Sequence, residues 1–192
     1  MSNELFFNPA KELVDSFATL YATESPILSQ LKGTAERIAR MYSEFCWEPD
    51  EIERELNKCF RVFDNGFDEM LVVKDIHVWT LCPHHLLPCE FKVYIGYMPN
   101  GKVLGLSKFS RIADILARKP VMQEQYTSEL VDLLMTRLKP RGAGVTIYGI
   151  HGCMTARGVK QHAEVVTSVV RGMFLQHASI KQEFLAVCRE SK

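Results

Sequence analysis

Apolar side chains recur with helical spacing through the first third of the chain. The clearest run covers residues 34–46, where Thr34 can act as the N-cap. Its apolar positions fall on one helix face at i, i+3, i+4 and i+7, and they are Ile38, Met41, Tyr42 and Phe45. A shorter helix is predicted to begin at Pro49, and the sequence Asp64-Asn65-Gly66 then interrupts the pattern. We therefore predict a helical region over residues 1–66.

The pattern changes beyond residue 66, where runs rich in β-branched and aromatic residues predict strands. The predicted strands cover residues 70–79, 92–98, 102–106, 143–151 and 164–174. Apolar residues return to helical spacing in the predicted helices over residues 107–118, 123–138 and 180–188. The Asn100-Gly101 pair between two strands predicts a hairpin, because both residues tolerate positive φ. Strands joined by a hairpin and by long helical insertions predict an α+β domain with an antiparallel sheet over residues 67–192.

The composition narrows the classes of protein that fit this pattern. The 23 basic and 23 acidic residues cancel, so the basic excess typical of nucleic-acid-binding proteins is missing. No apolar run approaches the roughly 20 residues that span a bilayer, and the N-terminal residues do not resemble a secretory signal. The six cysteines are irregularly spaced, as expected for packing residues or metal ligands in a reducing compartment. We therefore expect a cytoplasmic protein that binds neither nucleic acid nor membranes.

Cysteine and histidine cluster directly after the first predicted strand. Cys82 and His85 have the Cys-x-x-His spacing that can place two donors around one tetrahedral ion. Cys153 follows another strand, and this third ligand strengthens the prediction of a metal site. Three protein ligands leave one position open for water, which is the arrangement of catalytic zinc. His84 and His151 would then be free imidazoles that can move protons near neutral pH.

Two details of this prediction depend on local geometry. The side chains at positions 151 and 153 point to the same side only if the chain stays extended between them. Cys89 could add a fourth ligand, which would make the site structural rather than catalytic. Its place beside Pro88, at the start of a strand, favours packing instead.

A second group of polar residues could bind an anion. The candidates lie at one helix start, near the metal motif and, more weakly, on the early helix, and they are Ser107, Lys108, Arg111, Arg157, Arg37 and Arg40. Cations in the first turn of a helix oppose its dipole unless an anion binds there, although a solvated basic surface would look the same. Gln123 and Glu124 begin the next helix. Glu124 could favour the dipole or accept paired N–H groups of a ligand, and spacing alone does not decide between these roles.

Six segments, which run in order from about residue 30 to the C-terminus, resemble the GTP cyclohydrolase I family. They are TAERIARMY (34–42), LCPHHLLP (81–88), GKVLGLSKFSRI (101–112), ARKPVMQEQYT (117–127), HGCMTARGV (151–159) and TSVVRGMF (167–174). The resemblance implies a tunnelling fold, in which an antiparallel sheet carries helices on one face, preceded by an N-terminal helical extension. It also implies a toroidal homodecamer with active sites at subunit interfaces. The implied reaction hydrolyses GTP to 7,8-dihydroneopterin triphosphate and formate.

The resemblance gives the metal site a catalytic role. Zinc would be the cofactor, and its ligands would be Cys82, His85 and Cys153. The catalytic imidazoles would be His84 and His151. With water in the open position, these imidazoles would move protons to and from the substrate.

The resemblance also implies how GTP is bound. Glu124, with help from Gln123, would hold the guanine. The triphosphate would be held by hydroxyl and cationic side chains, which are Ser107, Lys108, Arg111, Arg157, Arg37 and Arg40. The last two would reach in from a neighbouring subunit.

The sequence departs from the usual pattern of this family at four positions. Pro83 stands where Glu is usual, and Ala35 stands where Pro is usual. Gln125 stands where Arg is common, and Gly152 replaces a larger residue. None of these changes removes a predicted ligand or catalytic group.

Two other hypotheses are open at this point. One is a different enzyme of the same fold that acts on a pterin or a 7-deazapurine. The other is a non-catalytic module that binds zinc or a nucleotide, in which Cys89 would be the fourth zinc ligand.

Overall fold

The computed structural model describes residues 2–189, which form two compact units. The first unit ends at Glu48, and its helices are α1 (Ser2–Ala18), α2 (Pro26–Gln30) and α3 (Thr34–Phe45). The predicted helix over residues 34–46 is thereby confirmed. It packs on α1 through the rings of Phe6 and Tyr42, whose centroids lie 5.9 Å apart. The second unit begins at Pro49, and the predicted division after residue 66 stays a prediction.

The second unit contains helices and strands in the mixed order that the sequence predicts. Its helices are α4 (Pro49–Asn57), α5 (Leu106–Leu116), α6 (Gln123–Arg137), α7 (Gly152–Thr155), α8 (Met173–Gln176) and α9 (Ala178–Arg189). Its strands are β1 (Val62–Asp64), β2 (Leu71–Leu81), β3 (Pro88–Met98), β4 (Lys102–Leu104), β5 (Gly142–His151) and β6 (Val165–Gly172). Across residues 2–189, no helix combines the length and the apolar character that crossing a membrane requires.

Four of these strands form one antiparallel sheet with the order β2-β3-β5-β6. A short loop joins β2 to β3, and their register pairs Leu81 with Pro88. On the other side of β3, the register pairs Cys89 with His151 of β5. The two pairs bring the ends of three strands to the same end of the sheet, together with the cysteine and histidine residues of the metal motif.

Helices α5 and α6 cover one face of this sheet. Phe109 of α5 packs against Tyr97 of β3 with ring centroids 5.3 Å apart, and Tyr126 of α6 packs against Phe91 at 5.7 Å. All four rings are fully buried, and burial of such a side chain stabilises the fold by about 2 kcal/mol. The predicted α+β fold with an antiparallel sheet and packed helices is therefore confirmed.

Helix α9 packs on the opposite face, where β3 and β5 carry paired glycines. A Cβ atom at Gly96 would lie 2.6 Å from the ring of Phe184, and one at Gly144 would lie 2.8 Å from it. Neither strand can therefore carry a side chain at these positions without moving α9. The closing helix was predicted from its periodicity, but the two glycines determine where it packs.

The hairpin predicted at Asn100-Gly101 is wrong. The chain does turn there, with Gly101 at a φ of 72°, but β4 pairs with β1 rather than with β3. β3 already pairs with β2 along one edge and with β5 along the other. Since neither edge of β3 is left for β4, the sequence identified the turn but not the partner of the strand.

Candidate metal centre and active site

The loop that joins β2 to β3 holds two of the predicted metal ligands. The Cys82 N–H donates to the Leu87 carbonyl at 2.9 Å, and the Leu86 N–H donates to the Cys82 carbonyl at 2.8 Å. Leu86 adopts a left-handed φ of 53°, which helps to close this short loop. The result is a distance of 3.6 Å between Sγ of Cys82 and Nδ1 of His85.

The third predicted ligand lies in α7, directly after β5. The chain does not stay extended there, because Gly152 begins a helical turn. A Cβ atom at Gly152 would lie 2.5 Å from the carbonyl oxygen of Pro88, so in this chain a side chain at position 152 would force α7 and β3 apart. The turn brings Cys153 to Cys82 and His85, and the three ligand atoms lie within 4.8 Å of one another.

The donors of this cluster suit a zinc ion. Zinc binds thiolate sulfur at about 2.3 Å and imidazole nitrogen at about 2.0 Å in tetrahedral sites, which gives a sulfur-to-nitrogen edge of about 3.5 Å. The distance from Cys82 Sγ to His85 Nδ1 is 3.6 Å. Among the described residues, this is the one group of three or more Cys, His, Asp or Glu side chains close enough to share a metal ion. The structure thus contains a Cys-His-Cys cluster that can bind a metal.

Cys89 lies beside this cluster but does not belong to it. Its side chain is buried, and its Sγ lies 3.4 Å from Nδ1 of His151. Burial raises the pKa of the Cys89 thiol to about 12, and negative charge on Cys153 and Cys82 acts in the same direction. The three ligand atoms that lie within 4.8 Å of one another belong to Cys82, His85 and Cys153, so the geometry favours three protein ligands over four.

The two predicted catalytic imidazoles have different surroundings. His84 is exposed, and its Nδ1 lies 4.0 Å from Sγ of Cys82. His151 is half-buried at the end of β5, where burial lowers its pKa and the negative charge of Glu124 opposes that change. His151 and Cys153 were predicted to point to the same side only if the chain stays extended between them. The chain is not extended there, because α7 begins at Gly152. One imidazole is therefore open to solvent and the other is held within the protein.

Gln123 and Glu124 also differ, although they are neighbours at the start of α6. Glu124 is exposed in the first turn, whereas Gln123 is only 1% exposed. The amide oxygen of Gln123 lies 2.8 Å from Nε2 of His151. The amide of Gln123 is thus bound by the protein itself. That Gln123 helps to hold a guanine stays a prediction.

The predicted phosphate-binding residues lie in three places. The guanidinium group of Arg157 contacts Nε2 of His85. Lys108 of α5 donates from Nζ to the Lys58 carbonyl at 3.3 Å, and Arg111 is exposed one turn further along the same helix. The other candidates are exposed residues at the start of α5 and on α3, and they are Ser107, Arg37 and Arg40. The structure therefore joins Arg157 to the metal cluster and gathers a separate polar group on α5.

Comparison with known proteins identifies the family. The GTP cyclohydrolase I family model matches residues 17–189. The chain belongs to the GTP cyclohydrolase I family. It is 41% identical to GTP cyclohydrolase 1 of Pelotomaculum thermopropionicum over 169 residues, which cover 86% of this chain and 88% of that protein. It is 42% identical to GTP cyclohydrolase 1 of Aquifex aeolicus, with the same coverage of 86% and 88%.

The tunnelling fold predicted for a GTP cyclohydrolase I is confirmed, with the N-terminal helices and the antiparallel sheet in place. Two solved structures of other proteins align with 54% of the chain. They are the archaeosine synthase QueF-like (TM-score 0.45, 19% identical, 93% of that chain covered) and E. coli dihydroneopterin aldolase (0.44, 13%, 99%).

Two contacts in this site were not predicted from the sequence. His151 contacts Cys89 and Gln123. The first contact depends on the register of β3 and β5, which neither strand specifies by itself. The signal for the second was Gly149, since a glycine within a strand often marks the close approach of another group. A Cβ atom at Gly149 would lie 2.1 Å from Oε1 of Gln123.

Proposed function

We propose that this chain is a zinc-dependent hydrolase that converts GTP to 7,8-dihydroneopterin triphosphate and formate. The observation that carries the proposal is the cluster of Cys82, His85 and Cys153 in a member of the GTP cyclohydrolase I family. Three protein ligands leave a coordination position for water, as in catalytic zinc sites. His84 and His151 would supply the acid–base groups that a hydrolysis needs.

The reaction adds one water at C8 of the guanine, which opens the five-membered ring to a formamide, and a second water then releases C8 as formate. When bound, zinc would supply a Lewis acid that lowers the pKa of a water molecule to about 7. His151 would exchange a proton with N7 as the ring opens. His84, which is exposed beside Cys82, would move protons as the ribose ring opens, rearranges to a ketone and condenses with the freed amine at N7, which closes the new ring and releases one water. Positioned acid–base groups of this kind contribute about 10²–10⁴-fold to a rate.

Glu124 is the residue that suits recognition of the base. Its carboxylate is exposed in the first turn of α6, and its charge acts on His151. Guanine presents N1–H and the 2-amino group as adjacent donors, which one carboxylate can accept together. Adenine lacks this pair of donors, so the carboxylate would select GTP over ATP.

Glu124→Gln is expected to lower kcat/KM for GTP by about 10- to 100-fold, mainly through a higher KM, because hydrogen bonds to charged groups contribute about 1.5–3 kcal/mol. Steady-state kinetics measure this effect, and the zinc content should not change. Gln125→Ala is the matched control, since Gln125 lies in the same turn and bonds to Glu129 at 2.8 Å. A Glu124→Gln protein with an unaltered KM would contradict the guanine-binding role.

The triphosphate site is proposed to form between chains of a homodecamer. Within one chain, the cationic residues form two groups. Arg157 contacts His85 of the metal cluster, whereas Lys108 and Arg111 lie on α5. A neighbouring copy would complete the site, with the exposed Arg37 and Arg40 also contributing from an adjacent subunit. Sedimentation should give a native mass near ten times the 21.9 kDa of the chain, and a fully active monomer would contradict the proposal.

Location in the cytoplasm stays a prediction from the sequence.

Incubation of the zinc-loaded protein with GTP tests the proposed activity directly. One formate and one pterin chromophore should appear for each GTP consumed. An enzyme for another pterin or a 7-deazapurine, or a non-catalytic zinc or nucleotide-binding module, would leave GTP unchanged. Absence of both products would therefore refute the proposed function.

A further inference from the structure

Gln123 is buried at the start of α6, and both ends of its amide group have partners. Nε2 lies 3.2 Å from the Ile147 carbonyl, 2.9 Å from the Val165 carbonyl and 3.1 Å from Oγ1 of Thr167. Carbonyl oxygens only accept hydrogen bonds, so the amide nitrogen must face them and the amide oxygen must face His151. Oε1 lies 2.8 Å from Nε2 of His151. Because an amide oxygen also only accepts, Nε2 of His151 carries the proton of this hydrogen bond.

The other ring nitrogen of His151 faces a different group. Nδ1 lies 3.4 Å from Sγ of Cys89, which is a buried thiol at the start of β3. A thiol can donate a weak hydrogen bond to an unprotonated ring nitrogen. Gln123 therefore holds the ring in one orientation with its proton on Nε2. Nδ1, whose contact with the thiol is weak, is the ring nitrogen that remains for proton exchange with the substrate.

The fold makes room for the amide and supports it. A Cβ atom at Gly149 would lie 2.1 Å from Oε1 of Gln123 and 2.9 Å from its Cδ. Thr127 of α6 donates to the Gln123 carbonyl at 2.6 Å, and its Oγ1 lies 2.7 Å from Oγ1 of Thr167 in β6. The side chain is thus fixed by α6, β5 and β6 together, as a contact that orients another residue requires.

We propose that Gln123 is a positioning residue, which orients His151 and sets its tautomer instead of contacting the guanine. The proposal rests on the proposed function in one respect, namely that the reaction uses His151. The amide nitrogen of Gln123 has two hydrogens and three acceptors in reach, so it has no donor left for a base. Glu124, by contrast, is exposed. Removing the amide would leave the ring of His151 free to rotate and to carry its proton on either nitrogen.

The kinetic test uses Gln123→Met, which keeps the length of the side chain and removes its hydrogen bonds. A positioning role predicts that kcat for GTP falls by roughly 10- to 100-fold while KM changes by less than about threefold. A raised KM with kcat kept would overturn the proposal, because that result indicates direct contact with the base. Ser168→Ala is the matched control, since it removes a different polar pair of β6, the contact of Ser168 with Thr146 at 3.0 Å.

A second measurement does not depend on turnover. Solid-state NMR of the zinc-loaded protein labelled with ¹⁵N-histidine distinguishes the two tautomers, and the His151 signals are identified by their loss in His151→Gln. We expect the Nε2–H tautomer in the unsubstituted protein and a mixture in Gln123→Met. If that variant does not fold, Gly149→Ala should give the same mixture, because its methyl group displaces Oε1 of Gln123.

The two measurements separate the positioning role from the proposed function. His151 with its proton on Nδ1 in the unsubstituted protein would overturn the positioning role, whatever the activity. The expected tautomers in a protein that releases no formate from GTP would support the structural contact and refute the proposed function alone.

Discussion

Replacing Cys153 with alanine is expected to remove both bound zinc and GTP turnover. Cys153 supplies one of three ligand atoms within 4.8 Å of one another, so its loss leaves only Cys82 and His85. Four-ligand structural zinc sites bind with about 10–16 kcal/mol, so one thiolate contributes roughly 3 kcal/mol, or about a hundredfold in affinity. Without the ion, the reaction lacks the acid that lowers the pKa of its water, and turnover should fall to background.

Zinc per chain after dialysis, measured by inductively coupled plasma mass spectrometry, and formate release test this expectation together. Cys46→Ala is the matched control, because Cys46 is a half-buried thiol in the N-terminal unit. It should keep one zinc per chain and full activity. Cys89→Ala should also keep its zinc, since Cys89 lies outside the cluster. Full zinc and full turnover in Cys153→Ala would show that the metal is held elsewhere.

Patterns within a single segment predicted most of the helices and strands. The spacing of apolar residues over 34–46 is a property of that segment alone, and it forms the helix Thr34–Phe45. The run over 92–98 is likewise part of the strand Pro88–Met98. Cys82 and His85 could be predicted as partners for the same reason, because one short loop determines their distance.

Contacts between distant segments could not be predicted in this way. The turn at Gly101 was visible, but pairing of β4 with β1 depends on both edges of β3 being occupied. Gln123 and Glu124 are adjacent polar residues, and helix geometry places them about 100° apart around α6. Which of them is buried depends on where β5 and β6 lie against the helix. The sequence therefore indicated both residues but could not separate their surroundings.

The His151→Ala variant is expected to keep its zinc and to lose about 10²–10⁴-fold in kcat, which is the usual contribution of a positioned acid–base group. His151 is not part of the metal cluster, and its ring nitrogens contact Gln123 and Cys89. Zinc content and formate release from GTP measure the two parts of this expectation. His77→Ala is the matched control, because His77 is an exposed residue of β2 whose Nδ1 lies 3.2 Å from Oε1 of Glu90.

Combining His151→Ala with Gln123→Met extends this prediction. If Gln123 acts through His151, the double variant should be no slower than His151→Ala alone, because residues that act as a unit have non-additive effects on rate. A further loss as large as that of Gln123→Met alone would show that Gln123 acts independently of His151. Normal turnover in His151→Ala would remove His151 from the mechanism, and the contact with Gln123 would then serve only to stabilise the end of β5.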